Sequence, residues 1–342
     1  MRVRAEYLGL ILISTLCFGC GTDAPNPDQA QTVPQTKTDK VSLVLNWYPE
    51  AEHGGYYAAL VHGYYAEAGL DVTIVPGGPN TPVLQKIATG AALFGVSNAD
   101  QVLLARAQEA PLVAVMAPLQ DSPRCLMVHR KSGITQFDQL QNMTIAMSSG
   151  AAWAQFLKKR LPFTGVKFIP PGSVAQFLND DKFAQQAYVF SEPYVAQSQG
   201  ADPHCLMVSD LGFNPYTSVL FVNQQTISEQ SELVRRMVSA SQRGWATYLK
   251  SPAETNSYIN KQNPEMSLEI LKFGAQAMQP LCETEAAGAA LGHMTPQRWD
   301  TLVDHMTEVG ALEAGATQGS SAFTTQFLAQ DASPKPAADV SP

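Results

Sequence analysis

The side chains that could do chemistry fall into five small clusters: Asn46 and Trp47, opening a loop to His53; Gly77, Gly78 and Asn80; Ser97 and Asn98; Ser148, Ser149 and Gly150; and Ser191 with Glu192. An indole face combined with amide, hydroxyl and carboxylate groups suits a small ligand that has a flat ring and a few polar edges. Ser149 and Gly150, at an expected helix start, offer free backbone N–H groups to a carbonyl, carboxylate or phosphate oxygen, although simple helix capping explains such residues as well.

Catalytic sets are incomplete. Gly95-Val96-Ser97-Asn98-Ala99 lacks the second glycine of a nucleophile elbow. Gly77-Gly78 has no third glycine, and neither a phosphate-binding loop nor a dinucleotide fingerprint is present. His53 and His62 are nine residues apart, off the four-residue spacing that sets two imidazoles on one helix face, and no Cys or His cluster has zinc spacing. The expectation is binding without catalysis, with no metal and no cofactor.

Such clusters need elements to bring them together. Short apolar runs predict strands over 41–47, 70–78, 92–98 and 112–118, then 125–130, 143–147, 166–170, 187–190, 205–208 and 216–222. Helical spacing of Tyr57, Leu60, Val61 and Tyr64 predicts a helix within 52–69. Thr81 as N-cap with Pro82 behind it starts a second, Ser97 or Asn98 caps a third over 101–109, and Ser149 caps a fourth running to 161. Shorter helices are expected at 137–141, from Ser173 and after Glu192, and 228–315 reads as helical, most clearly over 231–250 and 267–278. This alternation argues for a mostly parallel α/β sheet and for two α/β lobes with the chain crossing twice. The clusters then sit at strand carboxyl ends, where open α/β sheets bind ligands.

A chain of 342 residues with 45% hydrophobic and 15% charged residues can build a sizeable core. Its 22 Lys plus Arg against 30 Asp plus Glu give a net charge of -8, and no basic run exceeds Lys158-Lys159-Arg160, which argues against nucleic acid as a partner. Arg2 and Arg4 precede an apolar run from Leu8 to Phe18, about half a membrane span, so residues 1–19 read as an export signal. Gly19-Cys20 resembles the lipobox of bacterial lipoproteins, with Cys17 where an aliphatic residue is usual, so Cys20 is the expected lipidation site. Residues 20–40 and 331–342 have too few large apolar side chains to order themselves and read as a tether and a tail. Cys125 and Cys205, in the twin strings CLMVHR and CLMVSD, are either a disulfide or two buried thiols.

The segment Leu43-Val44-Leu45-Asn46-Trp47, His53 six positions beyond, and GYYAALVHGYYAEAGLDVTIVPGG together resemble the opening of the thiamine-pyrimidine (NMT1/THI5-like) family. The resemblance continues through 88–115, 143–150 and YVFSEPYVA at 188–196. It implies a type II periplasmic-binding-protein fold, two α/β lobes with a hinge and a central ligand cleft: 41–123 plus 221–330 in one lobe and 124–220 in the other. Bacterial members of the family are substrate-binding proteins of ABC importers. By resemblance, Trp47 stacks on a flat heterocycle, His53 and Tyr56 or Tyr57 line the first lobe, and Glu192 accepts hydrogen bonds from ring or amino N–H groups. Asn46, Ser97, Asn98, Ser149 and Gly150 complete the expected site. The expected protein is a monomer held by lipid at the membrane of the cell envelope, passing a pyrimidine-like nutrient to a permease and its ATPase. Two alternatives stand beside it: a ligand sensor for a membrane partner, and a pyrimidine synthase. The family's eukaryotic branch is such a synthase, consuming its own histidine and bound pyridoxal phosphate. His53 matches that histidine, while Phe213-Asn214-Pro215-Tyr216 stands here where the synthase has cysteines.

Overall fold

The computed structural model describes residues 38–283 and 289–329; the expected signal, Cys20, most of the tether and the tail lie outside the described residues. Alternating apolar residues become strands where one face can be buried, and the chain begins with β1 (Asp39–Val44), whose Val41, Leu43 and Val44 are all in the core. It continues through α1 (Gly54–Val61), α2 (Tyr64–Glu67), β2 (Leu70–Val75), α3 (Val83–Ala88), β3 (Phe94–Ser97), α4 (Ala99–Ala107) and β4 (Leu112–Met116). It then crosses to β5 (Arg124–His129), β6 (Thr144–Ala146), α5 (Ala152–Arg160), β7 (Lys167–Ile169), α6 (Ala175–Asn179), β8 (Phe183–Tyr188), α7 (Glu192–Ser198) and β9 (Pro203–Met207). After returning through β10 (Val219–Asn223) it ends in α8 (Gln224–Glu229), α9 (Ser231–Lys250), α10 (Ala253–Gln262), α11 (Leu268–Met278) and α12 (Pro296–Glu308).

Two five-stranded sheets result, ordered β2-β1-β3-β10-β4 and β7-β6-β8-β5-β9. They are mixed but mostly parallel, as expected: in each sheet four strands run the same way and one runs against them. β1 pairs in parallel with β2 and β3, and β6 with β7 and β8, but β10 and β5 run antiparallel to both of their neighbours. β5 and β10 are the strands that enter each sheet from the other, so they arrive from the opposite direction to the strands wound in by helical crossovers. The two crossing segments are tied together by an antiparallel bridge between Leu119 and Thr217.

The C-terminal helices α9 and α10 pack largely on the helices of the first lobe. Leu233, Val234, Met237, Val238, Trp245 and Tyr248 form the buried stripe of α9, and α1 lies against it. The approach is close enough that a Cβ on Gly55 would fall within the Trp245 indole, and one on Gly244 would meet the Gly55 carbonyl. Tyr56 and Tyr57 therefore belong to this core rather than to a surface. Helix α12 bridges the lobes, touching α4 and α5, with Arg160 paired to Glu308 at 2.8 Å. Thr295 caps α12, its Oγ1 accepting from the Arg298 N–H ahead of Pro296. Thr295→Ala is expected to cost about 0.5–2 kcal/mol in urea unfolding, and an unchanged midpoint would mean that the cap contributes nothing.

Three capping expectations need correction. Pro82, not Thr81, precedes the first turn of α3, and α5 starts after Ala151 rather than Ser149. Asn98 does stand at the N-cap of α4, but its side chain makes no cap bond. Cys125 and Cys205 are free thiols; the β5–β9 register sets Cys125 against Met207 and Cys205 against Met127. Among the described residues no helix is long and apolar enough to cross a membrane, and no group of His, Cys, Asp or Glu could hold a metal ion.

Candidate functional site

The carboxyl ends of β1, β3, β6 and β8 deliver their following residues into one cleft between the sheets. Two adjoining cavities of about 520 Å³ each fill it, and both are lined by Asn46, Trp47, Arg124, Ser148 and Gln186. The first adds Ser97, Asn98, Asp100 and Trp153; the second adds Glu50, Glu52, Tyr188, Ser191 and Glu192. A third cavity of about 510 Å³ lies between α9, α10 and α11 and shares no lining residue with the cleft. Its lining brings together no carboxylate or aromatic ring, so the chemistry lies in the cleft.

Trp47 lies just past β1, after Leu45 and Asn46, and stays 39% exposed, its ring edge against Tyr48 with centroids 5.5 Å apart. A large apolar side chain left open beside a cavity is available to stack on a ligand. Behind it runs a buried relay. Asn46 Nδ2 donates to Glu52 Oε1 at 2.9 Å, and Asn46 Oδ1 accepts from His53 Nε2 at 3.0 Å. His53 is completely buried, which drives its pKa down to about 3, so the ring is neutral and its 3.6 Å approach to Glu52 is not an ion pair.

Across the cleft, Tyr188 Oη accepts from Asn98 Nδ2 and from Arg124 Nη2, both at 3.0 Å. With both lone pairs engaged, its own proton is left to donate, and burial pushes that pKa up to about 12. The Arg124 guanidinium lies over the Tyr188 ring at 4.3 Å and near the Trp153 ring at 5.2 Å. Glu192 begins α7, yet its Oε2 turns back to accept from the Tyr188 N–H at 2.8 Å, and Gln186 accepts from the Ser148 N–H at 2.7 Å. Asn98 thus spends its amide on a partner in the other lobe instead of on its own helix.

Four carboxyl groups line the cavities that this arginine also lines, and burial raises the pKa of each. Glu52 rises to about 7, Glu50 rises well above the usual range with added repulsion from Glu52 and Glu192, and Glu192 and Asp100 also rise. The charge of Arg124 works against the rise at Glu52, Asp100 and Glu192. A carboxyl poised between its two forms can accept or donate a hydrogen bond, so this lining can serve either kind of ring edge.

The structure gathers Asn46, Trp47, Ser97, Asn98 and Glu192 around the two cavities. It keeps His53 behind Asn46 and places Tyr56 and Tyr57 in the core, where Tyr56 Oη donates to the Ser218 carbonyl at 2.6 Å. Direct ligand contact by the two tyrosines is corrected accordingly: the helical stripe that carries them faces α9. Ser149 and Gly150 line neither cavity, the adjacent Ser148 and Ala151 taking that place. Arg124, Tyr188, Glu50, Glu52, Asp100, Gln186 and Trp153 went unrecognised in the sequence. Glu50 and Glu52 carry the one available signal, two acids within a few residues of a strand's carboxyl end.

Comparison with known proteins places this cleft in context. The riboflavin-binding protein RibY of Chloroflexus aurantiacus is 27% identical, over 96% of this chain and 98% of its own length. The formylaminopyrimidine-binding protein of Halalkalibacterium halodurans is 24% identical, over 87% of this chain and 92% of its own. Among solved structures, the periplasmic aliphatic sulphonate binding protein SsuA from Escherichia coli superposes with a TM-score of 0.64 at 12% identity, covering 84% of this chain and 92% of that one, which shows the two-lobed periplasmic-binding-protein fold. The NMT1/THI5-like family model matches residues 50–255, the stretch that carries the Glu52, Arg124, Tyr188 and Glu192 side of the cleft, and the chain belongs to that family.

Proposed function

We propose that this chain is the extracytoplasmic solute-binding component of an ABC importer, and that its cleft closes on a small heteroaromatic nutrient. The observation that carries the reading is the cleft lining: an open indole at Trp47 faces a carboxyl at Glu192 and a guanidinium at Arg124, contributed by both lobes. A flat ring with polar edges meets all three at once, and its binding energy favours the closed form. The relatives named for binding riboflavin and formylaminopyrimidine support a ring as cargo. The paired crossing segments around Leu119 and Thr217 are where the lobes would hinge. Lipidation at Cys20 would hold the protein, as a monomer, beside its permease.

A synthase-like role that consumes His53 has less support. The imidazole is fully buried behind Asn46, and neither cavity is lined by a lysine, the side chain that holds pyridoxal phosphate as a Schiff base. The residues present do not fit that cofactor.

Thermal unfolding of the full chain against aminopyrimidines, thiamine, flavins, pyridoxal phosphate, alkylsulfonates and nitrate tests the proposal. A ligand at about 100 times its Kd adds roughly 2.7 kcal/mol of stability, so one ring class should raise the midpoint clearly. A rise with sulfonate or nitrate alone would overturn the ring assignment, and a rise with pyridoxal phosphate alone would restore the synthase reading.

A further inference from the structure

We infer that Arg124 reads the cargo: its guanidinium receives the carbonyl-bearing edge of an uncharged ring, so that the solute is of the pyrimidine-dione type rather than an aminopyrimidine or a small anion. The inference rests on the ring-binding role proposed for the cleft and names the ring class.

Arg124 opens β5 where the chain has just crossed between lobes, and it lines both cavities. Its plane is fixed by the rings of Tyr188 and Trp153, the latter itself in the core. Arginine has five N–H donors in a rigid fork, and the Arg124 side chain spends one on Tyr188 Oη. Among the described residues no carboxylate pairs with it. A half-buried guanidinium held between two rings, with its neighbouring carboxyl groups beyond ion-pair distance, is a donor fork prepared for an outside acceptor.

The neighbours decide what kind of acceptor that is. Glu50, Glu52 and Glu192 line one of the two cavities and Asp100 the other, and a carboxylate, sulfonate or phosphate bound at Arg124 would set a full negative charge beside carboxyl groups whose own ionisation this poorly solvated space already resists. Ring carbonyls supply the acceptors without that charge. The N–H between two such carbonyls gives a donor to the carboxyl groups, whereas an exocyclic amino group would meet Arg124 donor to donor. Trp47 remains open to cover the ring face.

Calorimetric titration of the full chain with three probes tests this: riboflavin, which carries a dione edge; 4-amino-5-hydroxymethyl-2-methylpyrimidine, which does not; and butanesulfonate, a simple anion. Riboflavin should bind most tightly, and Arg124→Gln should weaken it at least tenfold. Arg124→Lys, which keeps the charge but not the fork, should recover little of the loss. Should either variant fail to fold, as judged by circular dichroism, the ranking of the three probes by the natural chain decides alone. Tighter binding of the aminopyrimidine, or undiminished riboflavin affinity in folded Arg124→Gln, would overturn the role of Arg124 and leave the ring-binding proposal standing. Binding of none of the three would likewise overturn the role of Arg124, and binding of butanesulfonate alone would overturn both.

Discussion

Replacing Trp47 with alanine is expected to weaken ring binding by roughly 1–3 kcal/mol, a loss of about 5- to 150-fold in Kd, while leaving the unfolding midpoint nearly unchanged. The two halves of the expectation come from the same observation. The indole is 39% exposed and lines both cavities, so it has contact area to offer a ligand; it is absent from the hydrophobic clusters, so its removal takes little from the fold. Trp47→Phe should recover part of the affinity, because a smaller aromatic face remains. Titration calorimetry with whichever ring raises the midpoint most, alongside thermal unfolding of each variant, separates the effects. Unchanged affinity in a folded Trp47→Ala protein would remove the indole from the site, and a large fall in midpoint would make it a core residue instead.

The alternation of apolar runs and helical stripes was enough to place most of the strands and helices, because burial on one face imposes a period that neighbouring residues share; β8, expected at 187–190, lies at Phe183–Tyr188, where Gln185 and Gln186 interrupt the apolar run. The alternation was not enough to give strand direction. β5 and β10 look like any other short apolar run, and only the order of the folded sheet makes them antiparallel. The same boundary runs through the site. Asn46, Trp47 and Asn98 stand out locally as polar or aromatic groups just past a strand end. The partners of Asn98 and Glu52 do not: Asn98 finds Tyr188 ninety residues away, and Glu52 is reached by the charge of Arg124 from a different lobe. Arg124 itself is a single cation before a Cys-Leu-Met-Val strand, indistinguishable in sequence from a solvated strand end. Tyr56 and Tyr57 show the opposite error, since a helical stripe of aromatics has the same spacing whether it faces a ligand or, as here, the indole of Trp245.

Glu52→Gln is expected to stabilise the unliganded protein at pH 8 by up to roughly 3 kcal/mol and to leave it unchanged near pH 4.5. Burial lifts the Glu52 carboxyl from 4.5 to about 7 in the folded chain. A group whose folded pKa lies above its unfolded value favours folding while it is protonated, so its contribution is whole below about pH 4.5 and is lost as the pH rises through about 7. Glutamine stays neutral throughout and keeps an oxygen for Asn46 Nδ2, so the relay to His53 survives. It also relieves Glu50, whose own pKa is raised in part by the charge of Glu52. His53 acts with the opposite sign: burial depresses it to about 3, so its contribution is present above pH 6.5 and lost as the pH falls. Because both chains retain His53, this second trend largely cancels in their difference. Urea unfolding of the two proteins from pH 4.5 to 8 gives that difference directly, and an offset that does not change with pH would show that Glu52 keeps an ordinary pKa. If the stabilised variant also binds its ring more weakly, Glu52 is a carboxyl retained for the ligand at the expense of the fold, as expected of a group that takes up or yields a proton when the cleft closes.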